Sequence, residues 1–263
     1  WTTDFNIATL DNEVTDLGGL VGEVGGGTND TRVLEGYPVG VNTLVRFSRI
    51  DPTDGRPIYL DAKGNETKEY IFSPGNPEDM RAAAGKVIPD FTGGVTNTFD
   101  YKGFDLSFLF TFSYGNEIYD SSAKRQLGPI SDWNMRKDIS DRWRQPGDNA
   151  AYPRLTLDGA NWGEDGQSWF NTTLWLYDGS YMRLKNITLG YTLPSNLVKR
   201  LKVDRLRLFV SGTNLLTFTK YPGADPEITR DHDDAADRNM SPNVSYLTPP
   251  QEKVITFGLN LNF

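Results

Sequence analysis

Large apolar residues and small or polar residues alternate at the end of the chain. The last ten residues, VITFGLNLNF, place a large apolar side chain at every second position: Ile255, Phe257, Leu259, Leu261 and Phe263. Successive side chains of a β-strand point to opposite faces, so this stretch has one apolar face and one polar face. The pattern predicts a strand whose apolar side meets either a protein core or lipid.

The same alternation recurs along the chain and predicts seven strands. They lie at 4–10, 44–50, 90–100, 104–114, 180–193, 206–218 and 253–263. In FDLSFLFTFSY, the fourth of them, six bulky apolar or aromatic residues share one face and mostly polar residues share the other. Helical periodicity is confined to SNLVKRL at 195–201, with Ser195 in the N-cap position, and to a stretch around 134–144.

The connections between the predicted strands alternate in length. From about residue 51 onward the order is long, short, long, short, long, with segments at 51–89, 100–103, 115–179, 194–204 and 219–252. Antiparallel strands that cross a slab place successive connections on opposite sides, so the long connections share one side and the short ones the other. The Gly-rich connection 11–39 is an exception, because it falls on the side of the short turns. Long loops on one side and short turns on the other are typical of outer-membrane β-barrels.

A soluble β-sandwich is the alternative architecture, and two features favour the barrel. Connections of about 40 and about 65 residues are long for a sandwich, whose loops usually have a few residues. A lipid-facing surface also explains the bulky face of 104–114, since the depth of a bilayer requires backbone pairing in a closed barrel. No apolar run approaches the ~20 residues that a transmembrane helix needs.

Composition narrows the classes of function. The formal net charge of −8 argues against a nucleic-acid partner. The chain has no cysteine and one histidine, His232, which is too few for a thiolate metal site, a zinc site or a nucleophilic triad. An outer-membrane enzyme would need a clustered nucleophile, base and acid, and no such spacing appears. We therefore expect no catalytic residues, no enzyme activity and no cofactor.

Six segments, spread in order over most of the chain, carry a resemblance to a known family. They are GYPVG (36–40), IDPTDGRPIYLDAKGNET (50–67), GKVIPDFTGGVTNTFDYKGFDLSFLFTFSYGNEIYD (85–120), YDGSYMRLKNITLGYTLP (177–194), LRLFVSGTNLLTFTKYPGADPE (206–227) and FGLNLNF (257–263). In these segments the chain resembles the C-terminal part of a SusC-family (RagA-like) transporter, a TonB-dependent importer of the outer membrane of Bacteroidetes. The least similar regions are 11–33, 121–176 and 229–250, where the loops of the family vary.

The resemblance implies an all-β fold, a transmembrane antiparallel β-barrel. Residues 1–263 would form a C-terminal portion of about seven strands from a barrel of about 22. The family also has an N-terminal extension and a plug domain, and neither is visible in these residues. An open sheet edge is not viable in lipid, so we expect the chain to be a fragment whose missing strands come from the N-terminal remainder of the same transporter.

The resemblance also implies a function. Family members import glycan or peptide fragments across the outer membrane, energised by the TonB complex, with a SusD-like surface lipoprotein as a lid. We therefore expect a multi-pass barrel in the bacterial outer membrane, with extracellular loops. Its expected partners are the lipid bilayer, a SusD-like lipoprotein, the TonB complex through the missing part, and a glycan or peptide substrate. The alternative function is that of a secreted carbohydrate-binding β-sandwich protein without a membrane role.

The candidate substrate-binding residues are tryptophans of the connection 115–179: Trp133, Trp143, Trp162 and Trp169. An aromatic face can stack on a sugar ring, and the alternative is that each indole packs the loop against itself. Trp175 and Tyr177 directly precede a strand and are candidates for an interfacial aromatic girdle.

Three further features are candidate sites. Asp231, Asp233 and Asp234 could ligate calcium through carboxylate oxygens, although a solvated acidic loop is the simpler interpretation. Asp225 and its neighbours in GADPE are assigned to loop structure near the outer rim. Phe263 resembles the terminal aromatic residue that serves as an assembly signal in bacterial outer-membrane barrels.

Overall fold

The structure is a computed structural model that describes residues 1–19, 24–25, 31–73, 76–127, 134–155, 171–198, 203–227 and 243–263. Its strands in chain order are β1 (Thr2–Ala8), β2 (Val24–Gly25), β3 (Thr31–Val33), β4 (Val41–Ile50), β5 (Pro57–Leu60), β6 (Glu66–Thr67), β7 (Arg81–Ala84), β8 (Phe91–Tyr101), β9 (Phe104–Tyr114), β10 (Glu117–Asp120), β11 (Leu176–Asp178), β12 (Tyr181–Thr192), β13 (Arg205–Thr219), β14 (Val244–Ser245) and β15 (Val254–Asn262). Two short α-helices, α1 (Ser121–Gln126) and α2 (Ser195–Val198), and two 3-10 turns, Lys137–Asp141 and Thr173–Trp175, complete the described elements.

The six longest strands apart from β4 form one antiparallel sheet in the order β1-β8-β9-β12-β13-β15. Its register keeps apolar residues on one face: Phe5 pairs with Val95, Val95 with Phe110, and Phe110 with Leu184. Toward the other edge, Leu208 pairs with Leu259. We call this surface the apolar face. The opposite surface, which we call the polar face, carries mainly Thr, Ser, Asn and charged side chains.

The apolar face remains open along the sheet. Phe5 and Ile255 are each 62% exposed, Leu259 is 58% exposed and Phe257 is 80% exposed. In a β-sandwich, the apolar faces of two sheets cover one another. The exposure of these side chains therefore excludes the sandwich as the arrangement of this sheet.

The seven predicted strands all exist, but LVRFSRI does not belong to the six-stranded sheet. It lies in β4, which pairs with β3, β5 and β7 in a second sheet, formed by β2 to β7. Residues 41–45 of β4 are buried without alternation, as expected for a strand covered on both faces. The sheet thus has six strands where about seven are predicted, because LVRFSRI belongs to another sheet.

This correction removes the exception in the predicted connections. β1 pairs directly with β8, so residues 9–90 form one long connection. The order of connections becomes long, short, long, short, long without interruption. All three long connections leave the same end of the sheet, and both short turns, together with Phe263, lie at the other end.

The turn DYKG is formed as the sequence predicts. Lys102 and Gly103 both have positive φ angles, 48° and 88°, between the paired ends of β8 and β9. Positive φ at both central residues is the geometry of the type I′ hairpin turn, which matches the twist of its strands.

The long connections, residues 9–90, 115–180 and 220–253, pack together into what we call the loop layer. Its buried apolar cluster draws on all three connections: Leu44, Val45, Tyr59, Met80, Tyr119, Ala123, Leu127, Trp175 and Val244. Backbone hydrogen bonds also join them, from the N–H of Val45 to the carbonyl of Asn171 and from the N–H of Tyr119 to the carbonyl of Asn243. The hydrophobic core of the chain therefore lies in its connections.

The predicted helices are present only as short elements. α2 begins at Ser195, and the stretch around 134–144 holds the 3-10 turn Lys137–Asp141. Within the described part of the chain, no helix is both long enough and apolar enough to cross a membrane.

Replacing Trp175 with alanine tests the core of the loop layer. Trp175 has no exposed surface and stacks on Tyr152 with ring centroids 6.2 Å apart. We expect a loss of about 3–5 kcal/mol in the local free energy of unfolding, because the variant leaves a large cavity. Hydrogen exchange of the amides of β4 and β10 in the intact protein measures it. Trp175→Phe is the control and should lose far less. Unchanged protection of both strands in Trp175→Ala would contradict the packing described.

Candidate functional site

Only one of the four candidate substrate-binding tryptophans lies among the described residues. Trp143 is half-buried, and its indole N–H donates to the carbonyl of Pro52 at 3.0 Å. Its ring lies so close to Gly55 that a Cβ there would collide with it. One side of Trp143 thus holds the β4–β5 turn in place. Trp133, Trp162 and Trp169 lie outside the described residues, so their role in substrate binding stays a prediction.

Trp175 and Tyr177 are not part of an aromatic girdle. Trp175 is fully buried in the core of the loop layer, and Tyr177 packs edge-on against Tyr221 with ring centroids 6.2 Å apart. The girdle prediction for them is wrong because β11, the strand that begins at Leu176, pairs with β10 and not with a strand of the six-stranded sheet.

The acidic cluster Asp231, Asp233 and Asp234 lies outside the described residues. Among the residues that are described, no group of three or more acidic, His or Cys side chains could hold a metal ion. Calcium binding by the aspartates therefore stays a prediction.

A buried ion pair fastens the loop layer to the polar face of the sheet. Arg183 of β12 contacts the carboxylate of Asp225, and their side chains are only 2% and 5% exposed. The Asp225 carboxylate also accepts the backbone N–H groups of Glu227 at 2.8 Å and Gln251 at 2.9 Å. Next to it, Lys185 donates to Glu227 at 2.9 Å. This geometry confirms the assignment of GADPE to loop structure.

The electrostatics of Asp225 follow from these contacts. Burial by itself raises the pKa of this carboxyl, but hydrogen bonds from Arg183 and from two backbone N–H groups outweigh burial and leave its pKa below the ordinary value. The ionised carboxylate therefore contributes stability to the attachment of residues 220–253 to β12.

A cavity of about 400 Å³ lies in the loop layer between α1 and the segments 222–224 and 245–248. Polar and apolar groups contribute about equally to its lining: Asp120, Ser122, Gln126, Arg136, Pro222, Gly223, Ala224, Ser245, Leu247 and Thr248. Asp120 is 1% exposed and accepts the backbone N–H of Ala123 at 2.8 Å, which caps α1. The cavity thus combines a buried carboxyl group with hydroxyl, amide and main-chain groups.

The charges of this cavity are unevenly paired. Arg136 lies 2.5 Å from Asp138 and donates to the carbonyl of Pro222 at 3.1 Å, whereas its contact with Asp120 is 3.5 Å long. Burial raises the pKa of Asp120, and its hydrogen bond from Ala123 and the charge of Arg136 offset this only in part. Burial likewise raises the pKa of the neighbouring Tyr221 hydroxyl. The carboxyl of Asp120 is therefore costly to ionise without a further cationic partner.

The sequence patterns did not single out this cavity. Its residues come from two different long connections, and no spacing along the chain brings residues 120, 136, 222 and 245 together. The one available signal was local: Asp120 directly precedes SSAKRQ, in the place of an N-cap before a helix.

Fold and surface together define a class of protein. An antiparallel sheet with one open apolar face, one polar face, short turns at one end and a structured loop layer at the other is typical of the wall of an outer-membrane barrel. Solved structures of the same fold are those of the RagAB peptide transporter, with a TM-score of 0.74 and 24% sequence identity, covering 99% of this chain and 27% of that chain. The RagAB peptide importer in the 'open-open' state gives a TM-score of 0.72 with 22% identity, covering 99% of this chain and 26% of that one. The fold class predicted from the sequence is confirmed.

Curated relatives identify the family. The chain is 36% identical over 227 residues to TonB-dependent receptor P3 of Formosa agariphila, covering 86% of this chain and 20% of the relative. It is 26% identical over 243 residues to TonB-dependent receptor SusC of Bacteroides thetaiotaomicron, covering 87% of this chain and 22% of SusC. No protein-family model matches the chain. The predicted resemblance is confirmed: over most of its length the chain is similar to TonB-dependent receptors, SusC among them, and it spans about a fifth of the length of these two relatives.

Replacing Asp225 with asparagine tests the ion pair. The variant removes the more buried of the two carboxylates that contact Arg183 and leaves Glu227 at 3.1 Å. We expect about 3 kcal/mol less stability for the attachment of residues 220–253, the low end of the cost of breaking a buried ion pair. Hydrogen exchange of the amides of 225–227 and 251 in the intact protein measures the loss. Glu227→Gln, at a more exposed carboxylate, is the control and should cost less than about 1 kcal/mol.

The pH dependence of this loss in stability is a second test of the Asp225→Asn variant. The pKa of Asp225 lies below that of an unfolded aspartate, about 3.9. Its contribution is fully present above that value and is lost as the pH falls through the lower folded pKa. The difference between wild type and Asp225→Asn should therefore be largest at neutral pH and shrink below about pH 4. A difference that does not change with pH would contradict this assignment.

Proposed function

We propose that the chain forms part of the barrel wall and the outer loops of a TonB-dependent importer of nutrients across the bacterial outer membrane. The observation that carries the proposal is the apolar face, which six strands keep in register and which stays exposed. Lipid hydrocarbon is the solvent that such a surface fits, and the polar face then lines a watery lumen. The similarity to SusC and to the RagAB transporter supports the same function.

The dimensions of the sheet suit a bilayer. β9 has 11 residues, which at about 3.3 Å per residue gives a length of about 36 Å. At a tilt of about 40°, the strand spans about 28 Å, slightly more than the apolar band of about 25 Å in such barrels. Aromatic pairs mark both ends of the apolar face: Phe104 with Tyr191 near the short turns, and Phe91 with Tyr114 near the loop layer. Two aromatic girdles are expected at these positions.

The lengths of the connections support an orientation in the membrane. Outer-membrane barrels have short periplasmic turns and long extracellular loops. The turns after β8 and β12 and the terminal Phe263 then lie on the periplasmic side, and the loop layer lies outside the cell.

The two edges of the sheet require further strands. β1 and β15 are the outermost strands, and neither has a pairing partner on its outer side within the described part of the chain. Unpaired backbone groups are not viable in lipid, so β1 and β15 pair with strands from the N-terminal remainder of the same transporter. That remainder would also carry the plug and the contact with the TonB complex.

The cargo is a glycan or a peptide, and a SusD-like lipoprotein covers the loop layer. SusC and the RagAB peptide transporter are the similar proteins that support this pair of alternatives. The loop layer supports a role in contacting cargo and partner, because its own hydrophobic core gives it a fixed shape.

Replacing Phe110 with aspartate tests the lipid-facing assignment. Phe110 lies in the middle of β9 on the apolar face, opposite Val95 and Leu184. A carboxylate there is disfavoured by about 1–3 kcal/mol in lipid, and we expect less assembled full-length transporter in the outer membrane. Quantitative immunoblots of outer-membrane fractions, with and without heating, measure the folded barrel.

The matched control is Ser107→Asp, on the polar face of the same strand. We expect normal assembly of this variant, because its carboxylate meets water in the lumen. Equal assembly of Phe110→Asp and Ser107→Asp would reject the assignment of the two faces.

Removing Phe263 tests the proposed assembly signal. Phe263 is 88% exposed and follows β15 at the short-turn end of the sheet. We expect its deletion to lower the rate of barrel assembly severalfold, because the aromatic end of the last strand is read by the assembly machinery. Phe257→Ala, which removes an equally exposed ring from the middle of the same strand, is the control. A pulse-chase assay of heat-modifiable barrel measures the rate, and equal effects of both changes would argue against a special role for the last residue.

A further inference from the structure

The cavity beside Asp120 lies on the lumenal side of the proposed barrel. Its lining residue Ala224 directly precedes Asp225, whose carboxylate is held by Arg183. Arg183 projects from the polar face, since its partners across the sheet are Thr111 and Thr217. The cavity therefore lies next to the point at which the loop layer is attached to the polar face.

The chemistry of the lining favours a ligand that hydrogen-bonds and carries positive charge. Arg136 donates to the carbonyl of Pro222, and its charge is shared between the carboxylates of Asp138 and Asp120. The other basic groups of this region point elsewhere: Lys124 donates to Asn171, and Arg125 lies over the ring of Tyr246. Among the described residues, Asp120 and Asp138 share the single guanidinium of Arg136, so the carboxylates exceed the cations there by one charge.

The shape of the lining favours a peptide over a sugar ring. No aromatic ring lines the cavity, so the described lining offers no platform for stacking. Gly223 and Ala224 place no bulky side chain in this part of the lining, which leaves room for an extended peptide.

From these observations we propose that the cavity is a cargo subsite that binds an ammonium group of a peptide, with Asp120 as its counterion. The ammonium belongs to a free amino terminus or to a lysine side chain, since both present the same group. Such a charge-assisted hydrogen bond is stronger than a neutral one and compensates the burial of the carboxylate. This inference rests on the proposed function, because it names the group of the cargo that the importer holds.

Binding to the purified full-length transporter tests the subsite. The probes are acetyl-Ala-Lys-Ala-amide, Ala-Ala-Ala-amide with a free amino terminus, and the neutral acetyl-Ala-Gln-Ala-amide, each followed by calorimetry. We expect at least one cationic probe to bind about tenfold more tightly than the neutral probe. The probe that shows the preference distinguishes a lysine side chain from an amino terminus.

Asp120→Asn should abolish this preference. Asparagine is also a good N-cap, so the cap on the N–H of Ala123 is retained while the charge is removed. The control is Asp61→Asn, which removes a charge from another carboxylate of the loop layer that accepts backbone N–H groups, and it should leave the preference intact. Ala224→Phe, from an exposed position, should fill the cavity and weaken binding of every probe.

Three results would overturn the subsite. In the first, the wild-type transporter binds no probe at millimolar concentration or does not distinguish cationic from neutral probes. In the second, the preference for cationic probes survives in Asp120→Asn. In the third, maltotriose binds more tightly than the peptides, and neither Asp120→Asn nor Ala224→Phe changes its affinity. None of them affects the proposed function, which is tested separately by outer-membrane location and assembly of the wild-type protein.

Discussion

The register of the six-stranded sheet is the constraint on which the structure depends. Because side chains alternate along each strand, a slip of one residue in any pairing would move its apolar set to the polar face. The pairs Val95–Phe110, Phe110–Leu184 and Leu208–Leu259 hold the apolar side chains together across three of the five strand interfaces of the sheet. The same pairing sends every long connection to one end. The pairing of the strands thus determines both which side chains share a face and which connections share an end of the sheet.

The sequence could predict this sheet because its two faces differ strongly in polarity. Alternation is strongest where one face meets an apolar medium and the other meets water, as along FDLSFLFTFSY. It is misleading at LVRFSRI, because this strand belongs to another sheet and its first half, VNTLV, is buried on both faces. The same reasoning explains Trp175: a position next to a strand suggested an interface, but the strand belongs to the loop layer. Periodicity reports the surroundings of a strand and does not identify which sheet the strand joins.

The candidate cavity could not be predicted, for a different reason. Local rules locate the cap formed by Asp120, but the opposite wall of the cavity comes from residues more than 90 positions away along the chain. Contacts between distant connections depend on how the loop layer packs, and its packing is irregular. The resemblance to the SusC family gave no help there, since the segments around 121–176 and 229–250 are those in which the family varies.

The chain has two hydrophobic surfaces, the exposed apolar face of the sheet and the buried core of the loop layer. Phe257 is exposed on the sheet, whereas Trp175 is completely buried in the connections. A loop layer without its own core would leave residues 120, 136 and 222 free to separate, and the cavity would have no fixed shape. The buried pair of Arg183 and Asp225 then joins the two parts, because it binds a strand of the wall to the connection that lines the cavity. The position of any cargo site in these loops is consequently fixed by their attachment to the polar face of the sheet.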